Sequence, residues 1–169
     1  AADRIDLRIG TSGAVLEGLE PLDLIVAIGA TDPCGDGTRE PQAMLAALSR
    51  HLKPRGAILW GDLFWRGDPP DPLRQLVEMN NTYATHEGWQ AAARSAGFAV
   101  ALAQVSDEAV WDDYLATMDR AARDWLAAHP DRPEATGVRA SADRVQTLFG
   151  FGRPHLGFGL YVFLRPNHA

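Results

Sequence analysis

The sequence predicts an α/β fold on a largely parallel sheet, and three stretches carry that prediction. Asp23–Ile28 ends in an apolar run, LIVAI, that is unbroken by charge and rich in β-branched residues, the pattern of a parallel strand buried on both faces. Ala57–Asp62 (AILWGD) reads as a second buried strand. Between them Met44, Leu45, Leu48 and Leu52 fall at helical spacing, so Leu24–Asp62 reads as a βαβ unit with a right-handed crossover. The turn after the first of these strands is Gly-rich (Gly29, Gly35, Gly37), and α/β proteins place ligand sites beyond the carboxyl ends of their strands.

The remaining elements follow in order. Ile5–Ile9 alternates apolar and polar residues, as a half-buried or edge strand does, and Gly10–Gly13 stops it. Ala14–Glu20 is a weak helical turn or loop. Thr38 is placed to cap the next helix, with Glu40 and Pro41 in its first turn. Lys53–Gly56 reads as a turn and Leu63–Pro72 as a loop, followed by a short helix over Leu73–Met79. Thr85 caps a helix to Ala96 with Trp89 and Ala93 inward, and Gly97 stops it. Phe98–Val105 is a strand. Ser106 then caps a long helix whose apolar stripe is Trp111, Tyr114, Leu115, Met118, Ala122, Trp125 and Leu126, the spacing of a helix packed on a sheet. Pro133 opens a further helix with Val138, Ala142, Val145 and Leu148 on one face, and Leu160–Leu164 is the last strand.

The 169 residues suffice for one domain and one core, and 46% hydrophobic with 22% charged content is ordinary for a globular protein. The net charge of −6, without a basic block, argues against nucleic acid as a partner. No apolar run reaches transmembrane length and no signal-peptide pattern is present, so a cytoplasmic protein with no membrane partner is expected. The single Cys34 excludes an internal disulfide and argues against structural zinc, and the five His residues (51, 86, 129, 155, 168) show no metal-ligand spacing. Oligomeric state is not legible. The chain opens at Ala1-Ala2-Asp3 without an initiator Met and enters an apparent strand at once, as a fragment would.

Three segments, in this order and spacing, give the chain a resemblance to a known family. They are DLIVAIGA (Asp23–Ala30) with its Gly-rich turn and helix, LSRHLKPRGAILWGDLFW (Leu48–Trp65), and WQAAARSAGF (Trp89–Phe98) leading into a strand. Together they resemble the second half of a class I S-adenosylmethionine-dependent methyltransferase of the small-molecule type. The family's Leu-x-Pro-Gly-Gly-x-Leu before its fifth strand reads here Leu52-Lys53-Pro54-Arg55-Gly56-Ala57-Ile58, and the Gly-Phe that opens its sixth strand is Gly97-Phe98. The resemblance implies a Rossmann-like sheet of order 3-2-1-4-5-7-6, with strands 3, 4, 5, 6 and 7 supplied here, the last antiparallel between the fifth and sixth, and a helical insert over 106–150 between the sixth and seventh. The family's Gly-rich cofactor loop after strand 1 and the acidic residue after strand 2 have no counterpart. Residues 1–169 therefore read as one partial domain, truncated at its N-terminus and by itself inactive.

The resemblance also nominates site residues. Thr11 and Ser12 stand where the family often has an acidic residue bonding the adenine amino group, and Ile28, Gly29 and Ala30 lie where its cofactor, S-adenosyl-L-methionine, crosses the sheet. Asp32 faces the methyl acceptor in such relatives and is a candidate base, while Asp before Pro is also ordinary turn chemistry. Asp62, Phe64, Trp65, Tyr83 and His86 are candidates to line the site of a small-molecule acceptor. The insert either packs on the sheet or covers that pocket. Two other classes stay open, a non-catalytic methyltransferase-like binding or scaffold domain and a nucleotide-dependent oxidoreductase. The latter is favoured only by Gly35-x-Gly37, which lacks the third glycine of the dinucleotide fingerprint.

Overall fold

The computed structural model describes residues 4–30, 32–79 and 81–167. Four strands, β1 (Leu22–Ile28), β2 (Leu52–Trp65), β3 (Ala99–Val105) and β4 (Leu156–Leu164), form a sheet of order β1-β2-β4-β3. Among the described residues six helices accompany them: α1 (Ser12–Glu17), α2 (Pro41–Ser49), α3 (Asp71–Glu78), α4 (His86–Ser95), α5 (Glu108–Ala128) and α6 (Ala135–Gly152). β1 and β2 are parallel, and β4 runs antiparallel between β2 and β3, as the resemblance implies.

Strand parity explains the core. Ile25 and Ala27 of β1, Ile58, Trp60 and Phe64 of β2, and Tyr161 and Phe163 of β4 occupy one face in register. Against this face lie Met44, Leu45 and Leu48 of α2, and Trp89 and Ala93 of α4, all buried. Among the described residues the opposite face is buried near the end of β2, where Leu63, Trp65 and Leu156 meet Val77 of α3 and Trp111 of α5. Leu59, Leu160 and Val162 on it are half-buried, and at β1 it is open: Leu24, Val26 and Ile28 are 52%, 58% and 52% exposed. The β1 strand predicted to be buried on both faces is thus buried on one.

Other expectations are corrected by the structure. Ile5–Ile9 forms no strand, and Ile5, Leu7 and Ile9 stand exposed; an extended segment needs a neighbour for its backbone groups, and none of the described residues pairs with it. The cap of α2 is Glu40, whose carboxylate accepts from the Gln42 and Ala43 N–H groups at 3.0 and 2.6 Å, with Pro41 as the first helical residue. Thr38 instead donates its N–H to Asp36. The 53–56 turn is an irregularity within β2, where Arg55 takes φ 66° and the register with β1 jumps from Leu22↔Leu52 to Leu24↔Ala57. β2 runs past Asp62 through Trp65 because β4 begins at Leu156 and offers it partners as far as the Trp65↔Leu156 pair. Asp107, not Ser106, caps α5 by accepting from the Val110 N–H at 2.9 Å. Beyond Trp111 the α5 stripe meets α6 rather than the sheet: Met118, Ala122 and Trp125 face Val138, Ala142 and Val145 across a small gap.

Candidate functional site

The carboxyl ends of β1 and β2 open onto a cavity of about 530 Å³. Ile28, Gly29, Asp62 and Leu63 line it from the strands, Tyr83 from the segment before α4, and Phe158 from β4. The α5–α6 hairpin supplies the opposite wall with Trp111, Tyr114 and Phe149, whose rings pack at centroid distances of 4.9 Å (Trp111–Phe149) and 5.8 Å (Tyr114–Phe149). The hairpin is tied down at its base by charge. Glu108 of α5 accepts from Arg66, just past β2, at 3.0 Å and from Arg153, just past α6, at 2.8 Å, and Arg153 also pairs with Asp112.

Asp62 is the acidic side chain among the lining residues. Burial pushes its carboxyl up to about 7, although the Leu63 N–H donates to it at 2.8 Å. Burial also raises the Tyr83 phenol, and the nearby charge of Asp62 raises it further. Across the sheet Asp62 pairs with Gly159, where a Cβ would collide with the Tyr161 hydroxyl. That hydroxyl lies 3.0 Å from His86 Nδ1 and is raised by burial first, then by the charges of Asp62 and Glu87. His86, Tyr161 and Asp62 thus sit in succession between the start of α4 and the cavity.

The turn after β1 is built for close approach. Gly29 takes φ 64°, its N–H donates to Gly61 O at 2.7 Å, and among the described residues, its chain neighbours apart, no heavy atom lies within 4 Å of where a Cβ would stand. The Asp32 carboxylate accepts from the Gly35 and Gly37 N–H groups at 2.7 and 3.1 Å, so its oxygens hold the turn. Ser12 Oγ donates to Asp32 O at 3.1 Å, while Thr11 Oγ1 caps α1 through the Ala14 N–H. Burial first, and then Asp36 and Asp32, push Cys34 up to about 11 against the opposing pull of Arg50, and this raised value keeps it a thiol.

Of the nominated residues, the structure brings Ile28, Gly29, Asp62 and Tyr83 into one cavity, and Thr11, Ser12 and Asp32 together around the turn after β1. Ala30 packs at the edge of the main core, Phe64 is inside it beside His86, and Trp65 is buried in the second cluster with its ring 6.2 Å from Tyr83. Phe149 and Phe158 were not singled out from the sequence, because no periodicity marks them as lining. Trp111 and Tyr114 read as packing residues because a stripe at helical spacing does not show where the helix will lie. Among the described residues no group of three or more His, Cys, Asp or Glu could hold a metal; His168 lies outside them. No described helix is long and apolar enough to cross a membrane.

The mixed open sheet with its antiparallel strand between β2 and β3, and the ligand-sized cavity at the strand ends, define a Rossmann-like methyltransferase fold. The chain is similar to an S-adenosylmethionine-dependent methyltransferase from Geobacter sulfurreducens, solved in complex with S-adenosyl-L-homocysteine (26% identity, TM-score 0.75, covering 97% of this chain and 66% of that one). A second, from Thiobacillus denitrificans and also in complex with S-adenosyl-L-homocysteine, is 27% identical with a TM-score of 0.67, covering 86% of this chain and 59% of that one. The uncharacterized protein YjhP of Escherichia coli is 29% identical over 149 residues, covering 86% of this chain and 58% of YjhP, and its crystal structure matches with a TM-score of 0.69. The chain therefore spans about six tenths of the length of these relatives. No protein-family model matches it.

Proposed function

We propose that this chain is the C-terminal part of an S-adenosylmethionine-dependent methyltransferase acting on a small molecule. The observation that carries the reading is the open Gly29 turn at the rim of an apolar cavity, in a fold shared with methyltransferases solved with S-adenosyl-L-homocysteine. Further chain completing the sheet beside β1 is part of the proposal. It is supported by the exposed Leu24, Val26 and Ile28 and by the greater length of the relatives.

The residues present fit one flank of the cofactor. Gly29 leaves room for close approach, Ile28 and Ala30 border it, and Thr11 and Ser12 bring hydroxyls to the same end of β1. A hydroxyl that accepts one hydrogen bond keeps its own donor, which is the capacity Thr11 would use on an adenine nitrogen. When bound, S-adenosylmethionine supplies a methyl group activated by its positive sulfur. What remains for the protein is alignment and exclusion of water. The aromatic wall of α5 and α6 would shield the acceptor from water, Tyr83 would flank it, and Asp62 would hold or take a proton at its carboxyl. Asp32, with both oxygens engaged by the turn, positions the loop rather than reacting.

The test is the coding sequence upstream of residue 1, expressed with this chain. The reading expects roughly 70–100 residues holding two βα units, the first strand ending in a Gly-rich turn. Such a protein should transfer labelled methyl from S-adenosylmethionine to a small acceptor. An upstream segment without that strand and turn would favour the scaffold alternative.

A further inference from the structure

The cavity has a chemical asymmetry that the fold does not require. Its lining includes five aromatic rings, from Tyr83, Trp111, Tyr114, Phe149 and Phe158. Among the described lining residues Asp62 is the one carboxylic acid, and there is no Lys, Arg or His. An anionic acceptor would meet ring faces and a carboxyl group, with no counter-charge. An ammonium group would meet the negative faces of several rings together with one carboxylate, the combination that recognises organic cations. The charged residues next to this lining in sequence, Asp107, Asp112 and Asp113, are all acids, so they add no counter-charge for an anion.

We infer that the acceptor is a small amine on an apolar or aromatic frame, its nitrogen held beside Asp62 and its frame between the rings of Tyr83, Trp111 and Phe149. This rests on the methyltransferase reading and names the substrate class for that same cavity. The pair formed by amine and Asp62 shares one proton. As the nitrogen lone pair is freed, its proton goes to the Asp62 carboxylate. The nitrogen–carbon bond then forms as the carbon–sulfur bond of the sulfonium donor breaks, with that electron pair staying on sulfur.

The test compares three ligands of one frame, phenethylamine, 2-phenylethanol and phenylacetate, binding to the full-length protein by calorimetry. The amine should bind roughly tenfold or more tighter than the alcohol, and phenylacetate weakest of the three. In Asp62→Asn the preference for the amine over the alcohol should collapse to within about threefold. On the unmodified protein, amine affinity should rise as pH passes upward through about 7, where Asp62 ionises, while alcohol affinity stays level. The titratable groups that feel Asp62 are Tyr83 and Tyr161, with His86 and Glu87 beyond Tyr161; both phenols are raised and stay neutral through this range. Phenylacetate binding as tightly as the amine, or an undiminished amine preference in Asp62→Asn, would overturn the inference. S-adenosyl-L-homocysteine titrated into the same samples reports donor binding separately. Binding of that ligand without amine preference defeats the substrate class alone, and amine preference without it defeats the donor reading alone.

Discussion

Asp62 of β2 stands directly across the sheet from Gly159 of β4, and the missing side chain of Gly159 is what admits the Tyr161 hydroxyl beside it. A strand glycine normally weakens a sheet, so its presence marks a close approach. Gly159→Ala should displace the Tyr161 ring, break its bond to His86 Nδ1, and cost about 1–3 kcal/mol in urea unfolding, as overpacking does. Tyr161→Phe, which loses only the hydroxyl, should cost about 1 kcal/mol. Equal stability of Gly159→Ala and the parent would show that the ring moves without strain.

Asp62 gives the stability a pH dependence of defined sign. Its folded value of about 7 lies above the ordinary carboxylate range near 3.8, so the folded protein holds this proton more tightly than the unfolded chain. The resulting stabilisation is complete below about pH 4 and is lost as pH rises to 7, an effect on the order of 4 kcal/mol. Asp62→Asn lacks this slope. Its stability relative to the parent should improve by a few kcal/mol between pH 4 and pH 8, read from urea midpoints. Parallel profiles for the two proteins would place Asp62 in water.

The base of the α5–α6 hairpin should respond to charge without affecting the core. Arg153 joins Glu108 and Asp112, and the exposed pairs hold both acids below the usual carboxylate range, through their hydrogen bonds to arginine first. Arg153→Met should speed amide exchange in the first turn of α5 and the last turn of α6, leaving exchange at Ile58 and Trp60 unchanged. High salt should do the same to the parent, because exposed pairs are screened. Protection lost equally at Ile58 would mean that the hairpin and the sheet unfold as one.

Much of the fold was legible because it follows from periodicity. The β1–α2–β2 unit and the inward Trp89 and Ala93 of α4 needed only spacing and caps. What misled was pairing between distant segments. Ile5–Ile9 alternates like a strand, yet among the described residues it has no partner. Phe64 and Trp65 sit in a stretch dense in Pro, Gly and Asp, yet β4 extends far enough to hold them in the sheet and turn them into core. The site was legible where topology alone places residues, at Ile28, Gly29 and Asp62. Its other wall depends on how α5 and α6 fold back, which no local pattern of Trp111, Tyr114 or Phe149 encodes.

The exposed face of β1 tests the proposal that further chain covers it. Val26 is exposed here, so Val26→Lys in the 169-residue chain should leave unfolding almost unchanged and lower self-association. In the full-length protein the same substitution should cost roughly 2 kcal/mol or more, because it would bury an unpaired charge under the added chain. Similar unfolding of both full-length proteins would leave this face without a cover.

The central claim, that the open turn at Gly29 borders a methyl-donor site, is tested most directly by calorimetric titration of the full-length protein with S-adenosyl-L-homocysteine, alongside its Gly29→Val variant. The account predicts saturable binding at one site per chain in the parent and its loss in the variant, with NADH giving no heat in either. Heat from NADH but none from S-adenosyl-L-homocysteine, or equal binding of S-adenosyl-L-homocysteine by parent and variant, would contradict it.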